Sequence, residues 1–132
     1  MANPEHRQIF ESGKAAWQQW RESYPDVEPD LRGVSLRGQN LSLMNFRRTD
    51  LSGAQLWQVD LGAANLAGAK LIGAALYQAD LSGGNLVSSD LSRAQLDEAN
   101  LWLARLYRAR LIKARFTGAN LRQANLRRAN LC

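Results

Sequence analysis

From Leu31 to Leu131 a large apolar residue returns at every fifth position, 21 times in all, 19 of them Leu and two Phe (Phe46 and Phe116). The residue two places before each is mostly small, Ala in 13 of the 21 cases, and Asp or Asn stands one place before, also in 13. A period of five matches neither an amphipathic helix nor the simple alternation of a half-buried strand. In extended backbone, residues two apart share a face. The small residue and the Leu therefore both point inward, and the three others face out or form a corner. Those outward places vary: Ser, Trp, Tyr, Arg, Ile and Gly all follow the Leu. Small beside large lets neighbouring layers interlock without voids. Asp or Asn before the Leu suits a turn, because its short side chain bonds nearby backbone amides. Gly two places after the Leu, as at Gly53, Gly73 and Gly83, gives the corner its freedom. The pattern predicts a solenoid whose core is a thread, with Phe46, Leu51, Leu61, Leu81, Leu101 and Phe116 inside it.

Only the first 28 residues lack the repeat. Asn3, Pro4 and Glu5 read as an N-cap, a Pro at the first helical place and an acid in the first turn. Ile9, Phe10, Gly13, Ala16, Trp17 and Trp20 then form one stripe of a helix. One helix over residues 3–24 is predicted, stopped near Ser23 by Pro25, with Asp26-Val27-Glu28 as an extended linker up to Pro29. Its stripe, carried by Phe10, Trp17 and Trp20, needs cover. The nearest apolar surface is the open first layer of the repeat, so residues 1–28 read as cap and linker and 29–132 as the repeat domain.

The unit Ala-(Asp/Asn)-Leu-x-x, tandem over 104 of 132 residues, resembles the pentapeptide-repeat family, abundant in cyanobacteria and other bacteria. The stretch Gly13–Arg21 is similar to helices that precede the repeat in some members. The resemblance implies an all-β solenoid: a right-handed quadrilateral β-helix with four pentapeptides per coil, hence about five coils here, behind an N-terminal α-helical cap. Two departures stand out. Pro29, Val34, Gln39 and Met44 occupy the first four Ala places, as a terminal coil would tolerate. Lys70, Arg105, Arg110 and Arg115 replace Asp or Asn, and none of them makes the compact turn bond. Columns of residues 20 apart then place Asp50 against Lys70, Lys70 against Asp90, and Asp90 against Arg110.

Charge sharpens the picture. The net formal charge is +5, yet residues 99–132 hold eight Arg or Lys and no acid. Around the coil from Trp102 to Leu121, the outward Trp102 and Tyr107 alternate with Arg105, Arg108, Arg110 and Arg115. Aromatics interleaved with Arg suit single-stranded nucleic acid or an acidic protein face, although a four-sided coil points these side chains in several directions. Trp57 and Tyr77, 20 residues apart, form a second candidate contact by stacking. Leu131 and Cys132, in the last layer, are the candidate self-interface of a homodimer.

Catalysis finds no constellation. One His (His6), one Cys (Cys132) and no metal-ligand spacing or phosphate loop leave catalytic, metal and cofactor sites unassigned. No apolar run nears the ~20 residues of a membrane span, and the N-terminus shows no apolar signal segment, which points to a cytoplasmic protein without membrane contact. Some family members mimic duplex DNA and inhibit DNA gyrase, but mimicry needs an acidic surface, and a pI near 10.0 excludes it. A rigid, non-enzymatic scaffold for an unidentified protein partner is the expected role. A nucleic-acid-binding rod using the basic C-terminal coils is the alternative.

Overall fold

The computed structural model describes all 132 residues. From residue 29 onward each coil takes 20 residues, and every bridge joins a residue to the one 20 places later in parallel register, from Asp30 with Asp50 to Arg110 with Asn130. There are no long strands: each pentapeptide contributes a single bridged residue, then turns. Four turns per coil give four walls. Wall 1 carries Leu31, Leu51, Leu71, Leu91 and Leu111. Wall 2 carries Leu36, Leu56, Leu76, Leu96 and Phe116. Wall 3 carries Leu41, Leu61, Leu81, Leu101 and Leu121. Wall 4 carries Phe46, Leu66, Leu86, Leu106 and Leu126.

Within one pentapeptide every backbone N–H has an assigned fate, as buried backbone requires. For the unit around Leu51, the Asp50 N–H donates back to the Pro29 carbonyl (2.8 Å), and the Leu51 and Gly53 N–H groups donate forward to Lys70 (2.7 Å) and Ile72 (2.9 Å). The Ala54 N–H closes the turn on the Leu51 carbonyl at 3.0 Å. The remaining N–H, on Ser52, is taken by Asp50 Oδ1 at 3.0 Å. All 13 Asp and Asn residues before a core Leu or Phe make this bond, at 2.9–3.2 Å. The corner residue two after the Leu has positive φ in all 20 turns, only seven of them at Gly. With the turn bond, this defines a type II turn. Arg, Gln, Lys, Leu and Ala thus sit in the left-handed region at the corners.

The core is one cluster running from Phe10 to Leu111. Leu51, Leu61, Leu81, Leu101 and Phe46 are buried as expected, and so are most of the small residues beside them. Phe116 is not: it lies in the last coil, which has no layer on top, and is only partly buried.

The N-terminal segment forms two helices rather than one. α1 spans Pro4–Glu11, capped by Asn3, whose side chain accepts from the Glu5 and His6 amides. α2 spans Lys14–Ser23. Gly13 between them has φ +110, a conformation no helix interior accepts, so the chain bends there. The linker is also less extended than expected. Pro25 and Asp26 form a turn, closed by the Val27 N–H on the Tyr24 carbonyl at 3.3 Å. The bend lets both helices lie on the first coil. Phe10 and Trp17 meet Phe46, with ring centroids 6.0 and 5.8 Å apart, while Trp20 stays partly exposed beside Trp17 and His6.

Polar side chains of the cap also satisfy the otherwise open edge. His6 Nδ1 accepts the Asp30 amide (3.0 Å) and Gln18 Oε1 accepts the Asn45 amide (2.8 Å). Trp17 Nε1 donates to the Asn45 carbonyl at 2.8 Å. Arg21, buried without a carboxylate partner, donates to the carbonyls of Val27 and Arg47, each at 2.8 Å. Burial first, and then the Arg47 and Arg48 cations, lower its pKa from the ordinary guanidinium value. A cleft of about 390 Å³ remains where the cap falls short, between Phe10, Gly13 and the first-coil residues Ser35, Leu36, Asn40 and Met44.

Candidate functional site

The four walls differ sharply in what they expose. Before the core Leu, walls 1, 3 and 4 carry Asp or Asn at most levels. Wall 2 carries none: the sequence there is Ser35, Gln55, Ala75, Gln95 and Arg115. Wall 2 has therefore given up the Asp or Asn bond to the turn amide at every level, and only the Thr117 amide finds another side-chain acceptor, Asp97 of the layer before. Each such bond contributes on the order of 1 kcal/mol, so the loss is systematic rather than local.

Wall 2 also builds a column of large side chains just after the Leu. Arg37 lies over the Trp57 ring with its guanidinium carbon 4.4 Å from the centroid. Trp57 meets Tyr77 edge to face at 5.8 Å. Asp97 follows, mostly buried, with Arg115 Nη2 at 3.2 Å from its carboxylate and the Thr117 amide donating to it at 3.3 Å. Beside this column runs a polar ladder, in which Gln58 donates to Gln78 (2.8 Å) and Gln78 donates to Glu98 (3.0 Å). Trp57 remains 38% exposed. The surface is thus rigid, aromatic at its centre and hydrogen-bonded along its edge, the composition of a protein-contact hot spot.

The C-terminal basic residues do not form one patch. Arg105, Tyr107 and Arg108 share wall 4, with the Arg108 guanidinium carbon 5.3 Å from the Tyr107 centroid. Arg110 belongs to wall 1, where it approaches Asp90 at 3.8 Å. Arg115 belongs to wall 2, and Trp102 to wall 3 beside the equally exposed Leu103. Lys70 stacks between Asp50 and Asp90 in the bridge column but forms an ion pair with neither. Leu131 and Cys132 are exposed.

Residue-by-residue reading overlooked Arg37, which completes the aromatic column, and Arg127 and Arg128, which lie one coil beyond Tyr107 and Arg108. The signal was present as a spacing of 20, but it singles out a surface only once the coil length is applied to every charged residue. No group of three or more His, Cys, Asp or Glu comes together as a metal site would require. No helix is long and apolar enough to cross a membrane.

Comparison with known proteins places this architecture. A pentapeptide repeat protein (Rfr23) from the cyanobacterium Cyanothece 51142 is 28% identical over 87% of this chain and 93% of its own, with a TM-score of 0.79. A pentapeptide repeat protein from the Arabidopsis thaliana thylakoid lumen is 34% identical over 70% of this chain, with a TM-score of 0.69, and 65% of its own length is covered. No curated protein matches the chain. A family model of pentapeptide repeats matches residues 30–66, 64–102 and 104–131, in eight copies. With most of its length matched by the family model, the chain belongs to the pentapeptide repeat family.

Proposed function

We propose that the protein is a non-enzymatic rigid scaffold, a right-handed quadrilateral rod that binds a protein partner along wall 2. The observation that carries this is the exchange on that wall. Five levels forgo the Asp or Asn turn bond, and along the same wall runs a stacked Arg37–Trp57–Tyr77 column. A fold optimised for stability alone would place Asp or Asn there, as it does at 13 of the 16 equivalent positions on the other walls. Backbone pairing fixes the column's spacing, so little side-chain freedom is lost on binding.

The test is comparative. Proteins captured by the wild-type chain are titrated directly against Trp57→Ser/Tyr77→Ser and, as a control on another wall, Trp102→Ser. A partner lost at least tenfold by the first variant and retained by the second supports wall 2. A partner that binds all three alike overturns it.

We further propose that two copies meet through the last coil. Phe116, Leu121 and Leu126 are only partly buried there, and Leu131 is exposed. Solution mass against concentration should show a dimer that Leu131→Glu breaks, and a monomer at all concentrations overturns this.

A further inference from the structure

The walls sort charge as well as shape. Wall 4, residues 44–48, 64–68, 84–88, 104–108 and 124–128, holds six arginines and no acidic residue. Wall 2 balances Arg37 and Arg115 against Asp97 and Glu98, and wall 3 is weakly acidic. The wall 4 arginines gather at its two ends. Arg47 and Arg48 lie in the first coil; Arg105, Arg108, Arg127 and Arg128 lie in the last two. The intervening layers, Ala67–Gly68 and Val87–Ser88, are uncharged.

The two ends differ in what they meet. At the first, the chain's own acidic linker crosses the corner, and Arg48 Nη2 donates to Glu28 Oε1 at 2.8 Å. At the other, Arg127 and Arg128 repeat the Arg47–Arg48 pair in the same register, with no carboxylate within ion-pair distance of them, of Arg105 or of Arg108. Backbone bonds hold these four in adjacent layers: the Leu106 amide donates to Asn125 (2.8 Å) and the Arg108 amide to Arg127 (3.0 Å). Arg105 is also the one wall 4 residue that displaces a turn-bonding Asn, leaving the Tyr107 amide without its side-chain acceptor. Arg108 and Arg128, one coil apart, stack like charges, which opposes folding, and Arg105 forgoes the turn bond that Asn85 and Asn125 make below and above it.

We propose that Arg105, Tyr107, Arg108, Arg127 and Arg128 form a docking site for a short, extended, acidic protein segment. The occupant follows from charge complementarity and from the chain's own example at Glu28, since guanidinium groups pair carboxylates in a directed, bidentate way. A nucleic-acid track fits less well, because the neutral middle layers interrupt the basic stripe that a phosphate backbone would follow. This site lies on the opposite side of the rod from the aromatic column of wall 2, so the two stand or fall separately.

The test uses the full chain and a fluorescein-labelled octapeptide alternating Glu and Gly, with fluorescein-labelled oligothymidylate of equal charge as the second probe. Anisotropy titrations compare wild type with Arg108→Glu/Arg128→Glu on wall 4 and Arg93→Glu/Lys113→Glu on wall 1, which carry identical net charge. The expected result is at least ~tenfold weaker peptide binding for the wall 4 pair, and less than ~twofold for the wall 1 pair. Arg108→Gln/Arg128→Gln should weaken binding in the same direction, and circular dichroism checks that each variant is folded. Equal losses in both charge-reversed pairs, no peptide binding at low salt, or tighter binding of the oligonucleotide would each overturn the proposal.

Discussion

Installing the missing turn bond on wall 2 is the most direct test of why this solenoid is stable. Ala75 precedes Leu76, and nothing accepts the Tyr77 amide that follows. On wall 4, across the rod, Asn85 Oδ1 accepts the equivalent Val87 amide at 3.1 Å. Ala75→Asn should recreate that bond. A net hydrogen bond contributes about 0.5–1.5 kcal/mol, and fixing the Asn side chain costs a fraction of this. The expected gain is about 0.5–1 kcal/mol, a rise in melting temperature of roughly 2–5 °C for a chain of this length. The reciprocal change, Asn85→Ala, strips a partner from a half-sheltered amide and should cost about 1–2 kcal/mol. Thermal melts by circular dichroism, run beside urea titrations to check cooperativity, read both. Stabilisation by one and destabilisation by the other would establish the turn bond as the operative term. Loss of stability in Ala75→Asn with no effect of Asn85→Ala would refute it. In the first outcome, wall 2 forgoes stability that a single substitution restores, as expected of a surface kept for contact.

Position along the rod should set the cost of truncating a core residue. Leu81→Ala, fully buried in the central coils, should cost about 3–5 kcal/mol, and Leu121→Ala, in the partly exposed last coil, about 1–2; equal costs in urea unfolding would contradict a core that frays at its end. Corner geometry predicts opposite signs for two small changes. Gly73→Ala at φ +66 should destabilise by about 1 kcal/mol, and Ala63→Gly at φ +53 should be neutral to slightly stabilising, because relief of left-handed strain outweighs the added freedom of the unfolded chain. Acid should loosen the cap junction. Bonding to Arg32 holds the Asp30 carboxyl below its ordinary value, so its contribution is full above the unfolded pKa near ~4 and is lost as pH falls through the folded value. Melting temperatures of Asp30→Asn should therefore fall less between about pH 5 and pH 3 than those of wild type, and parallel curves would contradict the assignment.

The solenoid was legible in the sequence because one local rule repeats. Small residue, Asp or Asn, Leu, and a corner tolerant of positive φ each follow from backbone geometry within five residues, so the inward set and the turn bond could be read without tertiary information. The bend at Gly13 was not legible in the same way. The apolar stripe from Ile9 to Trp20 runs straight through it, and only docking of Phe10 and Trp17 on Phe46 favours two short helices over one. Phe116 carries the signature of a core residue, but burial depends on a layer above it, which no local pattern reports. The sequence also presents Trp102, Arg110 and Arg115 as neighbours of Tyr107. Four turns per coil send them to different walls and bring Arg127 and Arg128 to Tyr107 instead. Local hydrogen bonding thus sets what each pentapeptide does, while the coil's 20-residue closure decides which side chains meet, because neighbours on a wall are separated by a full circuit of the chain.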